Sequence, residues 1–126
     1  FGEKRFQIAQ ENTDKLSNIL KNGDTNEFVK LVENEALMLH GLMMTSDPSY
    51  ILIKPNTLRI IESIREFRFK NDIPVCFTLD AGANVHVLFP DKYSDKVYNF
   101  IETKLKVYCE NNSYIKDCVG FGAKQL

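Results

Sequence analysis

Asp80 and Gly82 lie two positions apart in the stretch P-V-C-F-T-L-D-A-G-A-N-V-H-V-L-F-P, residues 74–90. An aspartate at the end of a strand could orient a substrate hydroxyl or accept its proton. A glycine beside it lets the backbone approach a ligand closely. Tight turns need the same residue types, so these two residues indicate either a turn or a site.

The residues around this pair predict how the chain presents it. Apolar residues alternate with other residues over 75–79 and again over 85–89, as they do in β-strands. A short connection that contains Gly82 separates the two runs. The segment therefore predicts a β-hairpin with Asp80 and Gly82 where the chain turns.

The first third of the chain has a helical pattern. Apolar residues recur at helical spacing over about 5–21 and from 25 to 45. Asn22 and Gly23 supply a helix stop between these runs, and Asp24 with Glu27 resembles a capping box. Residues 1–45 therefore predict an antiparallel helical hairpin.

The order of elements after residue 50 indicates the fold. The patterns predict a strand over 50–54, a helix from about 56 to 71, the hairpin, a helix over 94–110 and a strand over 114–119. This is the ferredoxin-like βαββαβ order over residues 50–120, an antiparallel sheet with both helices on one face. We expect an α+β fold in a single domain spanning residues 1–126, with the helical hairpin added in front.

Several side chains have an expected environment. His40 is expected to be an interior or boundary histidine with a hydrogen-bond partner, rather than a metal ligand. In the third helix, mixed-sign charges predict a solvated face and the apolar positions predict a buried one. The predicted solvated residues are Arg59, Glu62, Arg65, Glu66 and Arg68, and the predicted buried ones are Leu58, Ile61, Ile64 and either Phe67 or Phe69.

Composition narrows the classes of function. With 16 Lys and Arg against 17 Asp and Glu in 126 residues, no large field of one sign is available, which disfavours nucleic acid as a partner. No apolar run approaches the roughly 20 residues that span a bilayer, and the start lacks the order of a signal peptide. Three widely spaced cysteines and two histidines indicate reduced thiols and no metal site. A cytoplasmic protein without a membrane partner is therefore expected.

Three segments of the chain resemble one enzyme family: E-A-L-M-L-H-G-L-M-M-T-S at 35–46, K-P-N-T at 54–57, and P-V-C-F-T-L-D-A-G-A-N-V-H at 74–86. Together they resemble the diphosphomevalonate decarboxylases of the GHMP kinase superfamily. The resemblance covers essentially the whole chain but only the C-terminal domain of the family. It implies that an N-terminal domain, which binds ATP and substrate in the family, is absent from this chain.

The resemblance also implies an activity. Asp80 falls on the catalytic aspartate of the family, and the backbone of Ala81 and Gly82 would border the substrate. The implied reaction uses ATP and Mg²⁺ to phosphorylate the 3-hydroxyl of mevalonate 5-diphosphate, after which phosphate and CO₂ leave to give isopentenyl diphosphate. Both cofactors would be held mainly by the N-terminal domain. No cofactor-binding or metal-binding residue is expected in this chain, and we expect no turnover by the chain alone.

Two alternatives stay open on sequence alone. The chain could be the equivalent domain of a related small-molecule kinase, which phosphorylates without decarboxylation. It could also be a non-catalytic plait for ligand binding or dimerisation, in which Asp80 only closes a turn. Members of the resembled family are often homodimers, so a homodimer is one assembly that the resemblance implies.

Overall fold

The computed structural model describes residues 2–116 and begins with a helical hairpin. Helix α1 spans Gly2–Asn22 and helix α2 spans Thr25–Met44. Between them Gly23 has a φ of 68°, a conformation that glycine adopts without steric cost. The side chain of Asp24 accepts a hydrogen bond from the Glu27 amide at 3.2 Å and caps α2. The predicted helical hairpin and the helix stop at Asn22 and Gly23 are confirmed.

The buried stripe of α2 carries two polar side chains. Val29, Glu33, Ala36 and His40 recur at helical spacing and are buried. Helix α1 covers another side of α2 and is largely exposed, with Phe6 keeping 82% of its surface accessible. Of the two helices of the hairpin, α2 rather than α1 therefore packs against the core.

The predicted strand over 50–54 is wrong. The Tyr50 amide donates to the Met43 carbonyl at 2.8 Å, and the Lys54 amide donates to the Thr57 hydroxyl at 3.3 Å. These backbone groups complete the end of α2 and the start of α3, so they cannot enter a sheet ladder. Helix α3 then spans Pro55–Asn71, with proline in its first turn, where no amide donor is needed.

Strands β1 (Cys76–Leu79) and β2 (Val85–Leu88) form the predicted antiparallel hairpin. Cys76 lies opposite Leu88, and Leu79 lies opposite Val85. Side chains alternate between the two faces of a strand. Neighbours Cys76 and Phe77 are both fully buried, so β1 is covered on both faces.

Helix α4 spans Ser94–Phe100. It continues as a π-helical segment at Ile101–Leu105 and a 3₁₀ turn at Lys106–Tyr108. The predicted helix over 94–110 is thus present with an irregular second half. The predicted strand over 114–119 is not present at 114–116, and residues 117–119 lie outside the described residues. The α+β class and the antiparallel hairpin are confirmed. Within residues 2–116 the sheet has two strands rather than the four of a complete plait.

The core joins α2, α3, α4 and β1. Ile64, Val75, Phe77 and Val97 are fully buried within it, and Phe67 stacks on Phe100 with ring centroids 4.1 Å apart. Of the two predicted alternatives, Phe67 therefore lies inward. Phe69 is 89% exposed, and Leu58, predicted to be buried, is exposed as well.

The mixed-sign charges around Arg68 predict a solvated position for it, but the Arg68 side chain is only 25% exposed. Its guanidinium donates to both carboxylate oxygens of buried Glu33, at 2.6 and 3.1 Å. It also donates to the Val75 carbonyl at 2.9 Å, while Glu33 accepts from the Phe77 amide at 3.3 Å. The Phe77 amide in β1 and the Val75 carbonyl just before it thus bond to these two side chains. The sequence pattern did not reveal this because the partner of Arg68 lies 35 positions away.

Candidate active site

Asp80 follows β1 directly and begins the loop of residues 80–84 that leads into β2. Its Oδ1 accepts a hydrogen bond from the Gly82 amide at 2.8 Å, and its Oδ2 accepts one from the Asn84 side chain at 3.2 Å. The carboxylate is therefore held in one orientation at the tip of the hairpin. The side chain nevertheless keeps 41% of its surface accessible, so a ligand can reach it.

These hydrogen bonds keep Asp80 charged. The Gly82 amide is the largest cause that lowers the pKa of this carboxyl, and the Asn84 side chain and the His86 ring lower it further. Partial burial acts in the opposite direction but does not prevail. Hydrogen bonds to a carboxylate favour its ionised form. Asp80 therefore presents a negative oxygen at neutral pH.

Gly82 allows the backbone to approach this carboxylate. A Cβ added at Gly82 would lie 3.2 Å from Oδ1 of Asp80, closer than ordinary van der Waals contact. The glycine is needed for this approach rather than for a positive φ. Ala81, between the two residues, is exposed, so the backbone beside the carboxylate is accessible.

Two buried side chains bond the backbone of the loop. Nε2 of His40, in α2, lies 2.8 Å from the main-chain oxygen of Asp80. The Thr57 hydroxyl, in the first turn of α3, donates to the Ala83 carbonyl at 3.0 Å. The two side chains are only 1% and 3% exposed. The expectation that His40 is an interior histidine with a hydrogen-bond partner is confirmed.

His86 lies beside the same carboxylate. It pairs with Thr78 across the hairpin, and its Nε2 is 3.9 Å from Oδ2 of Asp80. The side chain of His86 is 57% exposed, so attraction between the two groups is weak and requires a protonated ring. The alternation of apolar residues over 85–89 did not predict this proximity.

The described residues do not fit a metal centre. Within 2–116, no three His, Cys, Asp or Glu side chains are grouped so that they could hold a metal ion. Asp80 is a single carboxylate that already accepts two hydrogen bonds. No chemical step is therefore assigned to a metal held by these residues alone.

A capped α2, the hairpin and a carboxylate fixed at its tip are features that can be compared with known proteins. Residues 1–123 match the family model of the mevalonate 5-diphosphate decarboxylase C-terminal domain. The chain belongs to that family.

Known sequences and solved structures resemble this chain. The phosphomevalonate decarboxylase of Haloferax volcanii is 29% identical over 95 residues, which cover 75% of this chain and 29% of that protein. The structure of a mevalonate diphosphate decarboxylase from Legionella pneumophila is 30% identical, with a TM-score of 0.76 over 82% of this chain and 33% of that one. A structure described as MDDEF in complex with MVAPP, AMPPCP and magnesium is 25% identical, with the same TM-score over 82% of this chain and 32% of that one. The matched region of this chain thus spans about a third of the length of these relatives.

The two described cysteines lie outside the 80–84 loop. Cys76 and Cys109 are free thiols, and Cys118 lies outside the described residues. Burial, followed by the charge of Glu33, raises the pKa of Cys76 to about 12. Burial also raises the pKa of Cys109. Neither environment activates a thiolate.

None of the helices within residues 2–116 has the length and apolar character to cross a bilayer.

Proposed function

We propose that this domain is part of an ATP-dependent and Mg²⁺-dependent decarboxylase that converts mevalonate 5-diphosphate to isopentenyl diphosphate, and that Asp80 contacts the substrate 3-hydroxyl. Membership of the family supports the reaction class. The observation that carries the role of Asp80 is its accessible carboxylate, fixed by the Gly82 amide and the Asn84 side chain.

Asp80 acts as a hydrogen-bond acceptor that orients the hydroxyl. A carboxyl whose pKa lies below its ordinary value remains charged and holds a proton only weakly. Phosphoryl transfer through a loose transition state depends mainly on positioning and on charge neutralisation. A fixed acceptor therefore contributes more here than a strong base would. The backbone of Ala81 and Gly82 would border the substrate next to this oxygen.

ATP and Mg²⁺ are assigned to the part of the full-length protein outside this chain. The structure named for its complex with AMPPCP and magnesium is about three times as long as the matched region. Within residues 2–116, we find no group of three side chains suited to a metal ion. This domain supplies the acceptor and its support, and we expect residues 1–126 alone to show no turnover.

The full-length protein that contains this domain tests the role of Asp80. ATP-dependent CO₂ release from mevalonate 5-diphosphate is measured for the wild type and for Asp80→Asn. The amide keeps the shape of the side chain but removes its charge, so kcat should fall by about 100-fold or more. Asp91→Asn is the matched control because Asp91 also accepts a local hydrogen bond, from Ser94, outside the loop. An Asp80→Asn enzyme that turns over like the control would refute the proposed role.

Mevalonate 5-phosphate is a second candidate substrate. The Haloferax volcanii relative, 29% identical, is named a phosphomevalonate decarboxylase. The candidates differ by one phosphate at the end of the substrate away from the 3-hydroxyl, so Asp80 serves either one. Comparing kcat/KM for both substrates in the full-length protein separates them, and the diphosphate proposal fails if the monophosphate has the higher value.

A further inference from the structure

The 80–84 loop receives hydrogen bonds near both of its ends from side chains of two different helices. His40 bonds the carbonyl of Asp80, the first residue of the loop, and Thr57 bonds the carbonyl of Ala83, near its end. A carbonyl oxygen can only accept, so Nε2 of His40 must carry the proton. Both helices therefore restrain the main chain on either side of Gly82.

Neither polar group is needed to fill space in the core. Burying an imidazole or a hydroxyl without a hydrogen bond costs free energy, whereas an apolar side chain of similar volume packs without that cost. The hydroxyl of Thr57 also accepts from the Lys54 amide, so it joins the start of α3 to the loop. Glu33 and Arg68 bond the backbone at the other end of β1, at the Phe77 amide and at the Val75 carbonyl just before the strand. The specific contribution of His40 and Thr57 is thus to hold the loop.

We propose that His40 and Thr57 are positioning residues that act on the reaction through Asp80. Their hydrogen bonds fix the backbone that carries the carboxylate, while Gly82 and Asn84 fix the carboxylate on that backbone. This inference rests on the proposed function of Asp80. A displacement of a reacting group by about 1 Å can reduce a rate by about 100-fold, so loss of a restraint has a measurable effect.

Matched variants of the full-length protein test the inference. His40→Leu and Thr57→Val remove the donors at nearly constant volume, whereas His40→Gln and Thr57→Ser retain one. We expect the first pair to lower kcat by about tenfold or more with little change in KM, and the second pair to recover most of the loss. Ile101→Val lowers stability at a core residue that belongs neither to the loop nor to its hydrogen-bond partners, and it should leave kcat unchanged.

A double-mutant cycle shows whether the effect passes through Asp80. In an Asp80→Asn background, His40→Leu should lower the rate by much less than it does alone, because the group it positions has been removed. An equal loss in both backgrounds would overturn the inference. Where the Asp80→Asn rate is too small to compare, recovery by His40→Gln decides, and equal kcat values for the Leu and Gln variants would overturn it.

The outcomes separate this inference from the proposed function. If Asp80→Asn leaves turnover near wild type, the role of Asp80 fails and the positioning role fails with it. If Asp80→Asn abolishes turnover while His40→Leu and Thr57→Val keep a normal kcat, only the positioning role fails.

Discussion

Arg68 holds Glu33 through two hydrogen bonds, at 2.6 and 3.1 Å, and the carboxylate of Glu33 has only 6% of its surface exposed. The pair connects α3 with α2; Glu33 also accepts from the Phe77 amide in β1, and Arg68 donates to the Val75 carbonyl just before that strand. A buried charge with all its hydrogen bonds made is tolerated, but one that loses its partner is strongly destabilising. The hairpin that carries Asp80 therefore depends on this pair for one of its edges.

Arg68→Met should destabilise the domain by about 3 kcal/mol, because buried Glu33 would lose its bidentate partner and keep only Arg65, whose Nε lies 3.6 Å from its Oε1. Arg59→Met is the control, since Arg59 is exposed on the same helix. Thermal unfolding of the full-length protein measures the loss, and hydrogen exchange at the Phe77 amide reports it locally. The interpretation of the pair is wrong if the two variants unfold alike.

Gly82→Ala should lower kcat by about tenfold while leaving the fold intact. The new Cβ would lie 3.2 Å from Oδ1 of Asp80, so the carboxylate must shift by a few tenths of an ångström. Gly41→Ala is the control because its added Cβ meets nothing within 4 Å and alanine favours a helix. Steady-state kinetics of the two full-length variants measure the difference in kcat. Full activity of Gly82→Ala would mean that the close approach at Gly82 is not required.

Asp80 should be more than half ionised at every pH above 3.8, because its pKa lies below that ordinary value. Folding lowers this pKa, so the contribution of Asp80 to stability is complete above the unfolded-state value and is lost as pH falls through the folded-state value. Asn84→Ala should raise the pKa toward 3.8 by removing one hydrogen bond. Carbon NMR titration of the Asp80 carboxyl measures its pKa in the wild type and in Asn84→Ala. A wild-type pKa above 3.8 would contradict the prediction.

Cys76 should resist alkylation in the folded protein. It is fully buried, and its pKa of about 12 leaves almost no thiolate at pH 8. Cys109 is only half-buried and should react before Cys76. Mass-spectrometric mapping after iodoacetamide treatment, with and without denaturant, measures the order. Equal labelling of the two thiols in the folded protein would show that the core around Cys76 opens readily.

Local patterns predicted the helices, the stop at Gly23 and the hairpin around Asp80, because each depends on residues close in sequence. The motif around Asp80 also indicated the family, which the comparisons confirm. The strand predicted at 50–54 from its β-prone residues is wrong because its backbone groups complete two helix ends, which the β-propensity of the side chains does not indicate.

The supports of the candidate site depend on distant partners and were not predictable in the same way. From the local sequence Arg68 is predicted to be a solvated charge, because its partner Glu33 lies 35 positions away. His40 and Thr57 gain their roles from carbonyls that lie 40 and 26 positions away. One signal was present in the sequence: Val29, Glu33, Ala36 and His40 recur at helical spacing, which places two polar residues on a buried stripe.

The separation between His40 and Asp80 has a consequence for how the domain folds. The two strands can pair early, because the turn between them is short and closing it costs little chain entropy. The hydrogen bonds at the ends of the loop must wait until α2 and α3 have docked, since contacts across long stretches of chain form late. The strands can thus pair before the carboxylate is correctly oriented. During synthesis α2 and α3 precede the hairpin, so the loop emerges when the helices that restrain it have already been made.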